Sequence, residues 1–349
     1  MKKYLFYFAA IAAVALCNIS CSSSDDDDDP IITPSVVLEE PATANEAVAY
    51  TIPEASQPQS ATGENYLEGV NITESGKTVL KVNTAQGVKY VTFDTTIKKE
   101  GNKTIYTLTK DGKQAGTIVK IDAAASRTRG TSVGDLIIDL VFEIPGVEGT
   151  VTFTSTVSDA QEVNEIASSV NLTNIARTWK VQEMSMSLKG DVDCTVLEKS
   201  NNLMPLAEKA QENDAQLTED EYKELCKTIV GITLDKTGLF SIEYKNASGK
   251  IKYYYTKADA DKGNFKYIEC DGKTDSEACK WSWANANTQD VLKISSEKDT
   301  DFGNKFLNDD SRIGVKFYEN GIAHFTITTK ITGNKNYDAT IDFTVKSSN

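Results

Sequence analysis

The sequence is poor in the groups on which most enzymes and metal sites depend. It holds one histidine, six cysteines, four methionines and three tryptophans in 349 residues. A single imidazole excludes histidine-rich metal sites, and no Gly-x-Ser-x-Gly elbow stands anywhere in the chain to make a serine triad with His324. Long apolar runs are missing too. The run from Tyr4 to Leu16 has 13 residues, short of the roughly 20 that carry a helix across a bilayer. Positive charge is in deficit, with 37 basic residues against 51 acidic ones and a net charge of −14. That field repels phosphate backbones and argues against nucleic acid as a partner. With 25% charged and 40% hydrophobic residues, the composition is that of a globular chain long enough for two domains.

What is present first gives an address. Lys2 and Lys3 precede the short apolar run, the layout of a signal peptide over residues 1–20. Ser20 before Cys21 is small, as a signal peptidase requires, which makes Cys21 the candidate lipidated N-terminus. Cys21 is followed by Ser22, Ser23, Ser24 and five successive aspartates, Asp25 to Asp29, carboxylates that repel one another and stay solvated. A Ser-Asp run directly behind the cysteine resembles the surface-export tag of Bacteroides-type lipoproteins. Cleavage removes Lys2 and Lys3, so 35 positive charges face 51 negative ones, a net of −16. Anionic headgroups would not attract such a chain, so attachment to the outer membrane rests on the acyl chains.

Five of the seven prolines fall between Pro30 and Gly63, so residues 21–63 are expected to be an acidic, Pro-rich tether. From residue 64 to 158, short runs of Val, Ile, Thr, Tyr and Phe alternate with turns such as Glu74-Ser75-Gly76 and Asp111-Gly112, which predicts an antiparallel β domain. Residues 159–176 place Ala160, Val163, Ile166, Ala167 and Val170 at helical spacing, predicting a connector helix capped by Ser158 or Asp159. A second β domain is expected over 177–349, with a helical insert at about 200–230 in which Leu203, Leu206, Ala207 and Ala210 form one stripe and Thr218 with Glu221 makes a capping box for a second helix carrying Tyr222, Leu225 and Ile229. The fold class expected is therefore mainly β, in two β-rich domains, the second an antiparallel barrel or curved sheet.

Several stretches carry a family resemblance. Asn174-Ile175-Ala176-Arg177-Thr178-Trp179-Lys180-Val181, Lys236-Thr237-Gly238-Leu239-Phe240, Trp281-Ser282-Trp283 and the closing Tyr337 to Val345 resemble the lipocalin-like domains of Bacteroides-type surface lipoproteins. Leu67 to Lys77 resembles the β-rich segment that often precedes such a domain. The resemblance implies a surface lipoprotein of unassigned activity with a lipocalin-like C-terminal barrel.

Four cysteines remain after Cys21. An even count in an exported chain favours disulfides, and the expected pairs are Cys270 with Cys279, around a polar loop, and Cys194 with Cys226, around the helical insert. There is no Cys-x-x-Cys and no neighbouring histidine, so no metal site and no cofactor are expected. Asp259-Ala260-Asp261-Lys262-Gly263-Asn264 begins like a calcium loop, but glycine comes one place early and Cys270 stands where the closing glutamate belongs. Trp281 and Trp283 lie two apart on a strand expected over 280–286, as do Tyr253 and Tyr255 on one expected over 250–256, and each pair projects from one face. These four rings are the candidate ligand-binding residues, for a glycan or a small apolar molecule. The function expected is a non-enzymatic, cell-surface binding module. The alternatives are an adhesive protein that makes protein contacts and a hydrolase that uses a carboxylate pair.

Overall fold

The computed structural model describes residues 36–39, 47–122, 134–190, 194–199, 201–205, 218–295, 312–331 and 337–348. The expected signal segment, Cys21 and the Asp25–Asp29 run lie outside them. The fold is mainly β. Nine strands make the N-terminal half: β1 (Val48–Thr51), β2 (Tyr66–Ile72), β3 (Lys77–Thr84), β4 (Gly87–Glu100), β5 (Lys103–Lys110), β6 (Lys113–Ile121), β7 (Asp135–Glu143), β8 (Thr150–Val157) and β9 (Gln161–Glu162). β1 to β8 pair in chain order as an antiparallel meander, and β9 adds to the free side of β1. β7 shows why the sequence folds this way. Leu136, Ile138, Leu140 and Phe142 are buried, whereas Ile137, Asp139, Val141 and Glu143 are exposed. One face of the sheet thus encloses a core with Phe93, Phe142 and Phe153 at its centre. Each such side chain contributes about 1.5–3 kcal/mol relative to exposure.

The C-terminal half comprises α1 (Val170–Ile175), β10 (Thr178–Gly190), β11 (Cys194–Glu198), α2 (Glu219–Leu225), β12 (Lys227–Leu234), β13 (Leu239–Asn246), β14 (Ser248–Tyr253), α3 (Lys257–Asp261), β15 (Lys266–Asp271), β16 (Thr274–Trp283), β17 (Val291–Ser295), β18 (Arg312–Tyr318), β19 (Ile322–Ile331) and β20 (Tyr337–Ser347). β10, β12, β13, β16, β17, β18, β19 and β20 pair in that order, and β20 returns to β10, closing an eight-stranded antiparallel barrel. β11 extends the edge of β10, while β14 and β15 form a separate two-stranded ladder. One end of the barrel is filled. Trp179 is fully buried, with Phe325 edge-on at 5.4 Å and the Arg177 guanidinium 5.6 Å from its ring. α1 closes that end with Leu172 and Ile175.

The structure corrects three boundaries. The expected tether over 21–63 is too long: Val48, Tyr50 and Ile52 belong to the N-terminal core, and Val36 to Glu39 lie against α1. The expected connector helix over 159–176 forms only at Val170–Ile175, where Ser169, not Ser158 or Asp159, accepts from Leu172 N–H. Upstream, the Val163 N–H bonds to Ala49 and the Ile166 N–H to Lys236, so the segment is drawn out between the two halves. A helix could not supply both sets of bonds. The strand expected over 280–286 begins at Thr274, because Asp271, Gly272 and Lys273 make the turn that precedes it.

Within the helical insert, α2 confirms the second helix, although Ile229 lies on β12. The stripe at Leu206, Ala207 and Ala210 falls outside the described residues.

Candidate functional site

β16 alternates between two environments. Ser276 and Ala278 face the N-terminal half: the Ser276 hydroxyl donates to the Tyr90 carbonyl and accepts from the Thr92 N–H, both at 3.0 Å. Cys279, Trp281 and Trp283 face the barrel interior, and alternation puts Glu277 on that side with them. Burial raises the Cys279 thiol well above its ordinary value, and the neighbouring Glu277 charge adds to the effect.

The four candidate rings do not converge into one platform. Trp281 is 3% exposed and donates its indole N–H to the Asp235 carbonyl at 3.1 Å, which fixes it as core. Trp283 meets it edge to face, with centroids 5.2 Å apart at 82°. Tyr253 is buried against Tyr222 at 5.4 Å on the ladder outside the barrel. Tyr255 lies beyond the end of β14 and is 41% exposed. The strand stops at Tyr253 because Thr256 caps α3, with the Asp259 carboxylate completing the capping box. That contact also gives the calcium-like loop a structural role: Asp259 binds Thr256 and the start of the loop is helix.

Trp283 is the ring left at a half-open surface. It pairs with Leu292, and the register continues through Ile313 and Ile327 to Ile341, an apolar belt across five strands. Leu292 and Ile313 are buried, but Trp283, Ile327 and Ile341 are only partly so, as is Ile294 beside Trp281. The Trp283 Nε1 is buried and has no hydrogen-bond partner among the described residues. The arrangement offers an aliphatic wall with one indole donor, and a carboxylate, Glu277, on the same inner face. Strand alternation could have found Ile294, Ile327, Ile341 and Glu277 in the sequence. Knowing which of them stay accessible needs the closed barrel.

Neither expected disulfide is present: Cys226, Cys270 and Cys279 carry free thiols. Cys270 sits on the outer ladder and Cys279 inside the barrel, so the turn between them separates rather than joins them. Only the backbone of Cys194 is described, at the start of β11. His324 projects from the outer wall, with Nδ1 3.0 Å from Asp342 and its ring 4.9 Å from Tyr318. Among the described residues no group of three or more His, Cys, Asp or Glu is placed to hold a metal. No helix there is long and apolar enough to cross a membrane.

The carboxylic acids with the most perturbed protonation lie at the seam between the halves, where no sequence motif marks them. Glu74 is 5% exposed and its carboxyl is raised to about 8, first by burial and then by Asp235. Asp235 is fully buried and raised to about 6 by burial, against hydrogen bonds from Leu239 and Thr237. The pair has the pKa pattern of a catalytic site but no surface through which a substrate could reach it.

No family model and no curated protein matches the sequence. Among solved structures, the chain is similar to a protein of unknown function from the DUF3598 family of Nostoc punctiforme, with 7% identity, covering 86% of this chain and 94% of that one. The TM-score of 0.19 is too low for that likeness to carry any argument about this protein.

Proposed function

We propose that the protein is a non-enzymatic lipoprotein of the outer cell surface whose C-terminal barrel holds a small, mainly apolar molecule bearing a hydrogen-bond acceptor. One observation carries this reading: Trp283 stands on a half-open aliphatic wall, and its indole N–H has no partner among the described residues. A ligand carbonyl or hydroxyl would satisfy that donor, and Ile294, Ile327 and Ile341 would cover its apolar body. A glycan fits less well, since sugar stacking needs an open ring face and Trp281 has none. The seam acids do not support the hydrolase reading, because both are buried.

The test is titration of the mature chain with a panel of fluorescent apolar probes, including a labelled fatty acid, beside a glycan array. Binding in the micromolar range is expected, weakened about 5- to 10-fold by Trp283→Phe, which keeps a ring and removes the donor. Empty results from both panels would sink the proposal. Equal affinity in the variant would remove Trp283 from it. The address is tested separately: labelled palmitate enters the wild type and not Cys21→Ala, and protease added to intact cells cleaves the folded part.

A second reading has an observation of its own. Ile105, Val119 and Ile137 align across β5, β6 and β7 on the outer face of the N-terminal sheet, near the exposed Val141. Such a row favours protein contacts.

A further inference from the structure

α2 and the β14–β15 ladder make a cap that packs against the C-terminal barrel core. Tyr222 of α2 lies on Tyr253 of β14, and Leu225, Ile268 and Cys270 join the same cluster. Cys226 directly follows α2, held by its N–H to the carbonyls of Tyr222 and Lys223. Its own carbonyl accepts from the Ala247 N–H at 2.8 Å, and the Ala247 carbonyl accepts from the Gly272 N–H at 2.9 Å. Cys270 stands across the ladder from Gly249, two residues after Ala247. Two independent backbone anchors therefore bring the start of β12 and the end of β15 to the same residue. The side chains belong to the same packed cluster, and Cys226 stands close enough to the Cys270 thiol to lower it. Cys226 is buried and Cys270 half-buried.

We propose that Cys226 and Cys270 form a disulfide when the chain meets a small disulfide oxidant, latching the cap to the barrel. The Cys270 thiolate attacks one sulfur of the oxidant and releases the first thiol, leaving a mixed disulfide. The Cys226 thiolate then attacks the Cys270 Sγ, forms the protein S–S bond and expels the second thiol. Both protein thiols lose a proton, and the two electrons pass to the oxidant, which ends as two thiols. Cys270 takes the first step because it is the more exposed of the two, and Cys226 needs only its neighbour. Burial raises the Cys270 thiol, an effect that Lys223 opposes, so the reaction quickens as pH rises toward the thiolate form. Cys279 is not a competitor, since it points into the barrel from a different strand.

The mature chain is incubated undenatured with oxidised glutathione, blocked with iodoacetamide and digested with trypsin. The expected product links peptides 224–227 and 267–273, two hydrogens lighter than their sum, and separates on reduction. Cys270→Ser gives no linked peptide, Cys226→Ser stops at the glutathione adduct on Cys270, and Cys279→Ser leaves the link intact. The oxidised wild type should melt several degrees above the reduced form, about the size of shift a single cross-link gives. Cys270→Ser should melt alike in both conditions. Full alkylation of Cys226 and Cys270 after oxidation, or a link from either to Cys194 or Cys279, would overturn the proposal. If a serine variant fails to fold, the wild type and Cys279→Ser decide it by the identity of the linked peptides.

Discussion

At the scale of the residue, the most consequential groups are two carboxyls that the fold takes out of water. Glu74 lies in the turn between β2 and β3, and Asp235 in the turn between β12 and β13. One Asp235 oxygen accepts from Thr237 and Leu239, and Thr237 in turn accepts from Asn71 at 2.9 Å. Neither oxygen of Glu74 has a hydrogen-bond partner among the described residues. A carboxyl in that position stays protonated, which is why Glu74 is raised from 4.5 to about 8. In the folded chain it holds its proton over a range where the unfolded chain has released it. Stability is therefore greatest below the unfolded value and falls as pH rises toward 8, by on the order of a few kcal/mol. Asp235 acts in the same direction over a lower window, from 3.8 to about 6. The melting temperature should be higher at pH 5.5 than at pH 8.5, and Glu74→Gln should shrink that difference. A slope unchanged in the variant, measured by calorimetry, would show that Glu74 is not its source.

At the scale of the element, α1 shows how a six-residue helix can organise what surrounds it. Its length is marginal by propensity. It persists because Ser169 caps it, Leu172 and Ile175 enter the barrel core, and Trp179 donates its indole N–H to the Ile175 carbonyl at 3.1 Å. Asn174 then reaches the arm: its carbonyl oxygen accepts from the Leu38 N–H at 3.0 Å and its amide donates to the Val36 carbonyl. Arg177 adds a bond to the Glu39 carbonyl. The arm over Val36 to Glu39 is thus fixed to the C-terminal barrel ahead of the N-terminal sheet. Asn174→Ala removes two of these bonds and should cost about 1–3 kcal/mol. Limited proteolysis should then cut near residues 36–39 at least several-fold faster, with the barrel intact. Equal cutting rates would mean that the arm is held by other contacts.

β7 and α1 also mark what a sequence reader can and cannot see. β7 was legible because one face meets water and the other a core, so polarity alternates along it. β16 was misplaced because its first half, Thr274 to Cys279, packs polar residues against the other half of the molecule. The alternation there reports a neighbour rather than solvent.

At the scale of the whole molecule, the two halves are joined by a seam of mixed chemistry. Val79, Leu239 and Ala278 form a small apolar cluster within it. Around them Lys77 bridges Asp94 and Glu243 at 2.8 and 3.2 Å, Ser75 bonds Thr178, Thr274 bonds Asp111, and Lys273 pairs with Glu143. Ser276 is the stitch between β4 and β16, and β16 belongs to both sides. Ser276→Ala leaves the Thr92 N–H and the Tyr90 carbonyl without that partner and should cost about 1–3 kcal/mol. Because the loss falls on the seam, denaturant unfolding followed by tryptophan fluorescence should separate from unfolding followed by far-UV signal. All three tryptophans lie in the C-terminal half, so fluorescence reports that half alone. Coincident curves in the variant would mean that the seam does not set the cooperativity.

The sequence by itself determined the strand-rich class and the positions of most strands, because these follow from local alternation and turn residues. Trp281 and Trp283 were legible as sharing a face by the same two-residue period. Only the tertiary structure decided that Trp281 is core while Trp283 stays half open. It also decided that Tyr253 and Tyr255 part company, that Cys226 meets Cys270, and that Glu74 and Asp235 share a dry seam. Each of these depends on which distant strand closes against which, and contacts between residues far apart in the chain leave no periodic trace in it.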